Sequence, residues 1–323
     1  MKTTMKWIAA SLVAAAAFSA AAQSTYPERP VKLVVGFPAG QATDLVARLL
    51  AERLSKSLGQ PIVVENKPGQ GASLAVAQVA KAAPDGYTMV LTAAAAMVTN
   101  PHLYKNVGYD PLRDFAPSAM LIEIPLALVA HPSAPFNTVP ELIAYAKANP
   151  GKLSYSSSGS GTMSHLAMER LKREAGVSLI HIPYQGSPRS MNDLMAGNVA
   201  VAFDTLTVTV PQIEAKRMKA IAVAAAKRAP SLPNVPTVSE SGPADFIASP
   251  WLGVVFPAGT PKEIVTKMNG ELMKVMDDSG MQKSLQSIGA VPRTAGPEEF
   301  EKIIKADYVK WGKIVAESGA KVD

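Results

Sequence analysis

The sequence has 323 residues, of which 48% are hydrophobic and 18% charged, so it is long enough for about two domains with separate apolar cores. It contains no cysteine and only four histidines, which excludes thiolate nucleophiles and cysteine-ligated metals and leaves little for a catalytic metal site. Lys and Arg outnumber Asp and Glu by 32 to 26, but the charges are dispersed. The excess therefore favours small anions over nucleic acid as partners.

The first 22 residues have the pattern of a secretory signal peptide. Lys2 and Lys6 precede an apolar stretch that is too short to span a bilayer, and Ala20-Ala21-Ala22 fits the small-residue cleavage pattern before Gln23. An apolar helix belonging to the fold is the alternative, but the stretch has no amphipathic period. We therefore expect a soluble exported protein without a lipid anchor, located in the periplasm if the source is a bacterium.

The mature chain then alternates strand and helix patterns. Short apolar runs are separated by segments with helical spacing of leucine, valine and alanine. The pattern predicts strands at 31–36, 62–65 and 87–92, with helices at 45–58 and 73–83. This alternation is typical of a parallel sheet.

A second α/β series follows a crossing predicted at Glu123-Ile124-Pro125. It includes helices at 162–175 and after Ser187, which is predicted as an N-cap with Pro188 at the first helical position. The elements of this second half and of the C-terminal part are predicted as follows: a helix opened by the capping box Thr138-x-x-Glu141, strands at 152–156, 179–182, 199–203 and 220–224, a loop at 227–242, a strand at 251–256, a helix capped by Thr260-Pro261-x-Glu263, and a helix at 297–318. We expect one lobe from 23–124 plus 250–323 and a second from 125–249.

Two loops are candidates for binding an anion. The segments Phe37–Asp44 and Ser156–Thr162 each run from the end of a strand into a helix N-terminus, where unpaired N–H groups and partial positive charge favour an anion. Either loop alone is more simply a tight strand–helix connection, but corresponding loops in two domains could share one carboxylate. The sequence lacks the lysine of a Walker A loop and the third glycine of a dinucleotide fingerprint.

Two further segments directly follow strands of the second half. Tyr184 and Gly186 lie after one strand and Asp204 after another, where ligands of open α/β sheets bind. Asp204 could accept a hydrogen bond from a ligand or serve as an N-cap. His165 lies one turn into its helix and could reach the loop before it, although a packing role is the commoner one.

Many short motifs, in order along the mature chain, resemble the Bug family of receptors for tripartite tricarboxylate transporters. They are Phe37-Pro-Ala-Gly with Thr43-Asp44, Val64-Glu-Asn-Lys-Pro-Gly69, Ala83-Pro-Asp-Gly-Tyr87, Asn100-Pro101, Tyr109-Asp-Pro-Leu-Arg-Asp-Phe115, Gly159-Ser-Gly-Thr162 with His165, Pro183-Tyr-Gln-Gly186, Phe203-Asp204, Pro233-Asn-Val-Pro-Thr-Val238 and Pro257-Ala-Gly-Thr-Pro261. The resemblance implies a type II periplasmic-binding-protein fold, with two α/β lobes joined by a two-crossing hinge that close on a small carboxylate. It implies permease subunits as partners, and no enzymatic activity.

The resemblance carries contact roles to Phe37, Ala39, Thr43, Ser158, Gly161, Tyr184 and Asp204, with Asp44 shaping its loop. Together with their neighbours, the candidate ligand-binding residues are Phe37, Ala39, Gly40, Gln41, Thr43, Asp44, Thr92, Ser158, Gly159, Ser160, Gly161, Thr162, His165, Tyr184, Gly186 and Asp204. The chain departs from the family pattern at Gln41, where another glycine is usual, and after Thr92, where four alanines replace Ser, Thr or Gly.

Two other functions compete with transport. A serine hydrolase using the Ser156–Ser160 cluster is disfavoured, because no serine there is flanked as Gly-x-Ser-x-Gly requires. A ligand receptor for a periplasmic sensor kinase is compatible with the same sequence. In either binding role we expect a monomer without cofactor, metal or nucleic acid.

Overall fold

The structure is a computed structural model that describes residues 26–318. The predicted signal peptide lies outside the described residues. In chain order the strands are β1 (Val31–Val35), β2 (Ile62–Asn66), β3 (Thr88–Ala93), β4 (Phe115–Glu123), β5 (Leu126–Ala130), β6 (Ser154–Ser157), β7 (Ile180–Pro183), β8 (Val201–Thr205), β9 (Lys219–Ala224), β10 (Trp251–Pro257) and β11 (Val291–Ala295). The α-helices are α1 (Ala42–Leu58), α2 (Ser73–Ala80), α3 (Asn100–Leu103), α4 (Val139–Ala148), α5 (Met163–Ala175), α6 (Ser187–Met195), α7 (Leu206–Glu214), α8 (Val238–Ser241), α9 (Lys262–Asp277), α10 (Ser279–Ser287) and α11 (Pro297–Ser318).

The first lobe is built on a six-stranded sheet in the order β11-β4-β10-β3-β1-β2. β1 pairs in parallel with β2 and β3, which agrees with the predicted strand–helix alternation. β10 returns from the second lobe and pairs antiparallel with both β3 and β4. Apolar side chains cover both faces of the central strands, as their near-continuous runs of Val and Leu require.

The second lobe has a five-stranded sheet in the order β7-β6-β8-β5-β9. β6 pairs in parallel with β7 and β8, whereas β5 pairs antiparallel with β8 and β9. Separate apolar clusters lie on its two faces. The carboxyl ends of β6 and β8 point toward the first lobe, because their following helices α5 and α7 begin at the cleft.

Two chain crossings lie side by side and form the hinge. The amide of Ile124 donates to the carbonyl of Pro250 at 3.0 Å, and the amide of Leu126 donates to the carbonyl of Ala248 at 3.1 Å. The predicted crossings thus fall between strands of different sheets. The lobe boundaries at 124/125 and 249/250 stay a prediction.

The C-terminal helix α11 ties the lobes together at the hinge. Phe300 packs edge-on against Trp251, with ring centroids 5.1 Å apart, and the indole N–H of Trp251 donates to Asp307 at 2.9 Å. Trp311 packs against the apolar clusters of both lobes. Within residues 26–318, every helix is too short or too polar to span a bilayer.

Several predicted helix boundaries are wrong. Gly186, not Ser187, is the N-cap of α6, and Ser187 is the first helical residue, with its hydroxyl donating to Asp204. Pro261, not Thr260, precedes α9, and the Thr260 hydroxyl donates to the carbonyl of Pro257 at 2.8 Å. The helix predicted over 73–83 ends at 80.

Other differences concern capping and missed helices. The amide of Glu141 donates to the hydroxyl of Thr138 at 3.3 Å as predicted, but the Glu141 carboxylate accepts from the amide of Asn137 rather than from Thr138. The predicted loop at 227–242 contains α8, which has a complete capping box between Thr237 and Glu240. Helix α7 was not predicted, because its alternating Thr and Val residues and its internal proline do not favour a helix.

Candidate functional site

The first-lobe loop is fixed by a buried carboxylate. Asp44, in the first turn of α1, accepts hydrogen bonds from the amide of Gly40 at 2.9 Å, the guanidinium of Arg48 at 3.0 Å and the side-chain amide of Asn66 at 2.9 Å. Burial by itself raises the pKa of Asp44, but these hydrogen bonds outweigh it and hold the pKa below its ordinary value. The charged Asp44 therefore shapes the loop, and the first amides of α1 stay without an intrahelical acceptor.

The second-lobe loop is held by its own hydroxyl groups. The amide and the hydroxyl of Thr162 both donate to the carbonyl of Gly159, at 3.2 and 2.6 Å. The amide of Ser158 donates to the hydroxyl of Ser164 at 3.0 Å. The side chain of Thr162, the N-cap of α5, accepts no hydrogen bond from the helix. The N–H groups of the first turn of α5 therefore remain available as donors.

A stack of aromatic rings packs beside the second-lobe loop and supports it. Nδ1 of His165 accepts a hydrogen bond from the amide of Gly161 at 3.2 Å, and its ring lies on that of His181 with centroids 4.2 Å apart. Burial lowers the pKa of His165, and burial together with the neighbouring His165 lowers the pKa of His181 to about 4. Tyr155 stacks on the other face of His181, and its hydroxyl donates to Glu169. Neutral histidines are therefore part of the loop's support.

Asp204 presents one satisfied and one free carboxylate oxygen at the end of β8. Its Oδ1 accepts from the hydroxyl of Ser187 at 2.8 Å, the amide of Thr205 at 2.7 Å and the hydroxyl of Thr205 at 3.3 Å. Its Oδ2 is buried and has no hydrogen-bond partner. Burial outweighs the three hydrogen bonds and raises the pKa of Asp204 to about 6. Thr205, not Asp204, is the N-cap of α7.

These groups meet at a cavity of about 50 Å³ between the lobes. Its walls combine the loops before α1 and α5 with the hinge and the end of β8, and consist of Phe37, Gln41, Ala42, Thr43, Ala93, Ala95, Ile124, Leu126, Ser158, Thr162, Met163, Ser164, Asp204, Thr205, Pro250 and Leu252. Two helix N-termini thus face the same space as the free oxygen of Asp204. The arrangement can hold an anion at the amides and a hydrogen-bond donor at the carboxylate.

The other predicted residues take different places around the cavity. Ala39 and Gly40 are exposed at the tip of the first loop, and Thr92 is buried in β3 with its hydroxyl donating to the carbonyl of Ala93 at 3.3 Å. The hydroxyl of Tyr184 donates to Asp193 of α6 and does not line the cavity.

Contacts across the cleft use backbone groups of the second-lobe loop. The hydroxyl of Tyr104, in the first lobe, donates to the carbonyl of Ser160 at 3.0 Å. A Cβ atom on Gly161 would lie 2.7 Å from Oδ1 of Asn100, so the approach of the two lobes requires glycine there. Tyr104, Ser164 and the hydroxyl of Ser187 were not predicted as groups of the site, since no local pattern distinguishes them from ordinary polar residues.

A larger cavity of about 1350 Å³ lies along the hinge between α5, α11 and β11. Some of its charged side chains form ion pairs, as Arg170 does with Glu174 at 2.7 Å and Arg228 with Glu240 at 2.6 Å. We place the candidate site in the smaller cavity, because the two helix N-termini and the unpaired carboxylate oxygen converge there.

Two α/β lobes, a hinge of two crossings and a cavity between the lobes define the type II periplasmic-binding-protein fold. Comparison with known proteins gives the family. A sequence profile described as "Tripartite tricarboxylate transporter family receptor" matches residues 46–320. The chain therefore belongs to this family of receptors, the Bug family, which confirms the resemblance seen in the sequence.

Individual relatives match along nearly their whole length. The protein BugT of Bordetella pertussis is 34% identical over 299 residues, which cover 92% of each chain. The structure of the periplasmic binding protein BugD is 40% identical, with a TM-score of 0.88, and covers 92% of this chain and 99% of that one. The R. palustris protein Rpa4515, solved with adipate, is 36% identical, with a TM-score of 0.89, and covers 92% of this chain and 100% of that one.

Proposed function

We propose that this chain is a periplasmic receptor that captures a small carboxylate between its lobes and delivers it to the permease of a tripartite tricarboxylate transporter. The observation that carries the proposal is the convergence of the N-termini of α1 and α5 with the free Oδ2 of Asp204 on one cavity. The family supports binding rather than catalysis, and a relative solved with adipate supports a carboxylate as ligand.

The carboxylate binds at the first amides of α1 and α5. Ala42 and Thr43 of α1 and Met163 and Ser164 of α5 all line the cavity. Their amides lie at the positive ends of two helices in different lobes, so one carboxylate can satisfy both only when the lobes are together. Binding energy then favours closure.

The ligand also carries a hydrogen-bond donor. Oδ2 of Asp204 is buried without a partner, and an unpaired buried acceptor costs about 1–3 kcal/mol that a hydroxyl or ammonium group on the ligand would recover. A hydroxy or amino carboxylate therefore fits better than the corresponding unsubstituted acid.

A thermal-shift panel on the mature protein tests both parts of the ligand assignment. Carboxylic acids are compared with their amides, and 2-hydroxy acids with their deoxy counterparts. At a hundredfold excess over Kd a true ligand stabilises by about 2.7 kcal/mol, which gives a clear shift. Equal shifts for acids and amides would refute the carboxylate assignment, and equal shifts for hydroxy and deoxy acids would refute the role of Asp204.

Delivery and location need separate measurements. Cells that express the permease subunits should accumulate the labelled carboxylate only when this chain is also present. N-terminal sequencing of the protein from the periplasmic fraction should begin at Gln23. Uptake that is independent of this chain would favour the sensor alternative.

A further inference from the structure

Gln41 connects the two lobes at the edge of the cavity. Its side-chain Oε1 accepts a hydrogen bond from the backbone amide of Ser187 at 3.0 Å, between the loop before α1 and the start of α6. Gln41 is only 6% exposed and lines the cavity. Its side chain makes no cap on its own helix, so the contact across the cleft is its main polar interaction.

The amide that Gln41 occupies is the first of α6, a helix of nine residues. This amide lies at the positive end of the helix dipole and would otherwise be a donor for an anion. The approach is close, since a Cβ atom on Gly186 would lie 2.8 Å from Oε1 of Gln41 and 2.4 Å from Cγ of Pro38. While Gln41 is in place, its oxygen occupies the amide of Ser187.

A second observation gives this end of the cavity its charge. Ser187 also donates through its hydroxyl to Oδ1 of Asp204, whose buried Oδ2 has no partner. At the Ser187 end of the cavity, the side-chain oxygen of Gln41 already accepts from the first amide of α6, and the carboxylate of Asp204 repels a second anion. This end of the cavity therefore binds hydrogen-bond donors and disfavours negatively charged groups.

We propose that Gln41 is a specificity-determining residue that selects ligands with one carboxylate and disfavours dicarboxylates. Its amide oxygen takes the donor at the N-terminus of α6 that the distal carboxylate of a dicarboxylate would need. The inference rests on the proposed function, because it assumes that the first carboxylate binds at α1 and α5.

Calorimetric titration with two ligands that differ only in the distal carboxylate tests the inference. The probes are 2-hydroxybutyrate and malate. The native protein should bind 2-hydroxybutyrate at least about tenfold more tightly than malate, and Gln41→Gly should shift the ratio of the two affinities at least about tenfold toward malate. Glycine is tolerated at an N-cap, so the variant should fold. Gln41→Glu should keep the preference for 2-hydroxybutyrate, since its carboxylate occupies the same amide.

Gln60→Gly, the same substitution away from the cavity, is the control and should leave both affinities unchanged. If Gln41→Gly weakens both ligands equally, Gln41 only holds the lobes together and the inference is wrong. If the native protein binds both ligands equally well and Gln41→Gly changes nothing, the inference is wrong while the proposed function stands. If neither ligand nor any carboxylate of the panel binds, both fail.

Discussion

Asp204 should make the empty protein less stable as the pH rises from about 4 to 6. Burial raises its pKa from 3.8 to about 6, so the folded protein holds this proton more tightly than the unfolded chain does. Its contribution to stability is therefore unchanged below about pH 3.8, decreases as the pH rises toward 6, and stays low above that. At about 1.4 kcal/mol per pKa unit, the ionised carboxylate costs about 3 kcal/mol at neutral pH.

Asp204→Asn should remove this cost. The asparagine Oδ1 can still accept from Ser187 and Thr205, and its NH₂ group takes the place of the unpaired Oδ2. The free energy of unfolding of the variant, relative to the native protein, should rise by about 2.4 kcal/mol between pH 4 and pH 7.5, because the unfolded carboxylate is already partly ionised at pH 4. The gain in stability should be accompanied by weaker ligand binding, because an NH₂ group cannot accept the ligand's donor.

Urea unfolding followed by tryptophan fluorescence at the two pH values measures the change. Asp277→Asn is the matched control, since Asp277 is exposed at the end of α9 and should show no such difference. If the unfolding free energy of Asp204→Asn exceeds that of the native protein by the same amount at both pH values, Asp204 is not the destabilised carboxylate that its burial indicates.

Three further predictions concern the fold, the loop and the hinge. Gly253→Ala would place a Cβ atom 2.3 Å from the ring of Phe300, and should lower the unfolding free energy by about 3 kcal/mol, whereas Gly270→Ala, with no atom within 4 Å, should not. Because a protonated His165 cannot accept from Gly161, and burial lowers its pKa below the ordinary value, its support of the loop should be lost only at a pH below 6.5. His165→Asn, which keeps an acceptor, should therefore lose less affinity than the native protein at acid pH in calorimetry, while the fall that comes from protonation of Asp204 remains in both. Small-angle scattering should show a smaller radius of gyration with ligand than without; an unchanged radius would contradict ligand-driven closure.

Local patterns in the sequence were enough to predict the class of protein and the position of the main elements. β1 and α1 have clear apolar periods, and Gly59 ends the helix in a left-handed conformation, as a glycine after a helix predicts. The motifs of the Bug family occur in order along the chain, so the fold and the family followed without a structure. These features are encoded locally, within one turn or one strand.

Local signals also explain where the sequence was misleading. Ser187 has the residue type and the following proline of an N-cap, yet its hydroxyl bonds to Asp204, which is 17 residues away. As an N-cap the hydroxyl would accept a hydrogen bond from a helix amide, whereas here it donates a charge-assisted hydrogen bond to a buried carboxylate. The local sequence does not indicate whether Ser187 caps α6 or donates to Asp204.

The arrangement of the site across the cleft depends on how the two lobes pack. Gln41 and Ser187 are 146 residues apart, and their hydrogen bond exists because the two lobes meet at that point. The same is true of the unpaired Oδ2 of Asp204 and of the Tyr184 hydroxyl, which bonds to Asp193 rather than facing the cavity. Burial, pKa and free hydrogen-bonding capacity depend on which groups lie opposite one another, and the packing of the lobes sets that relation.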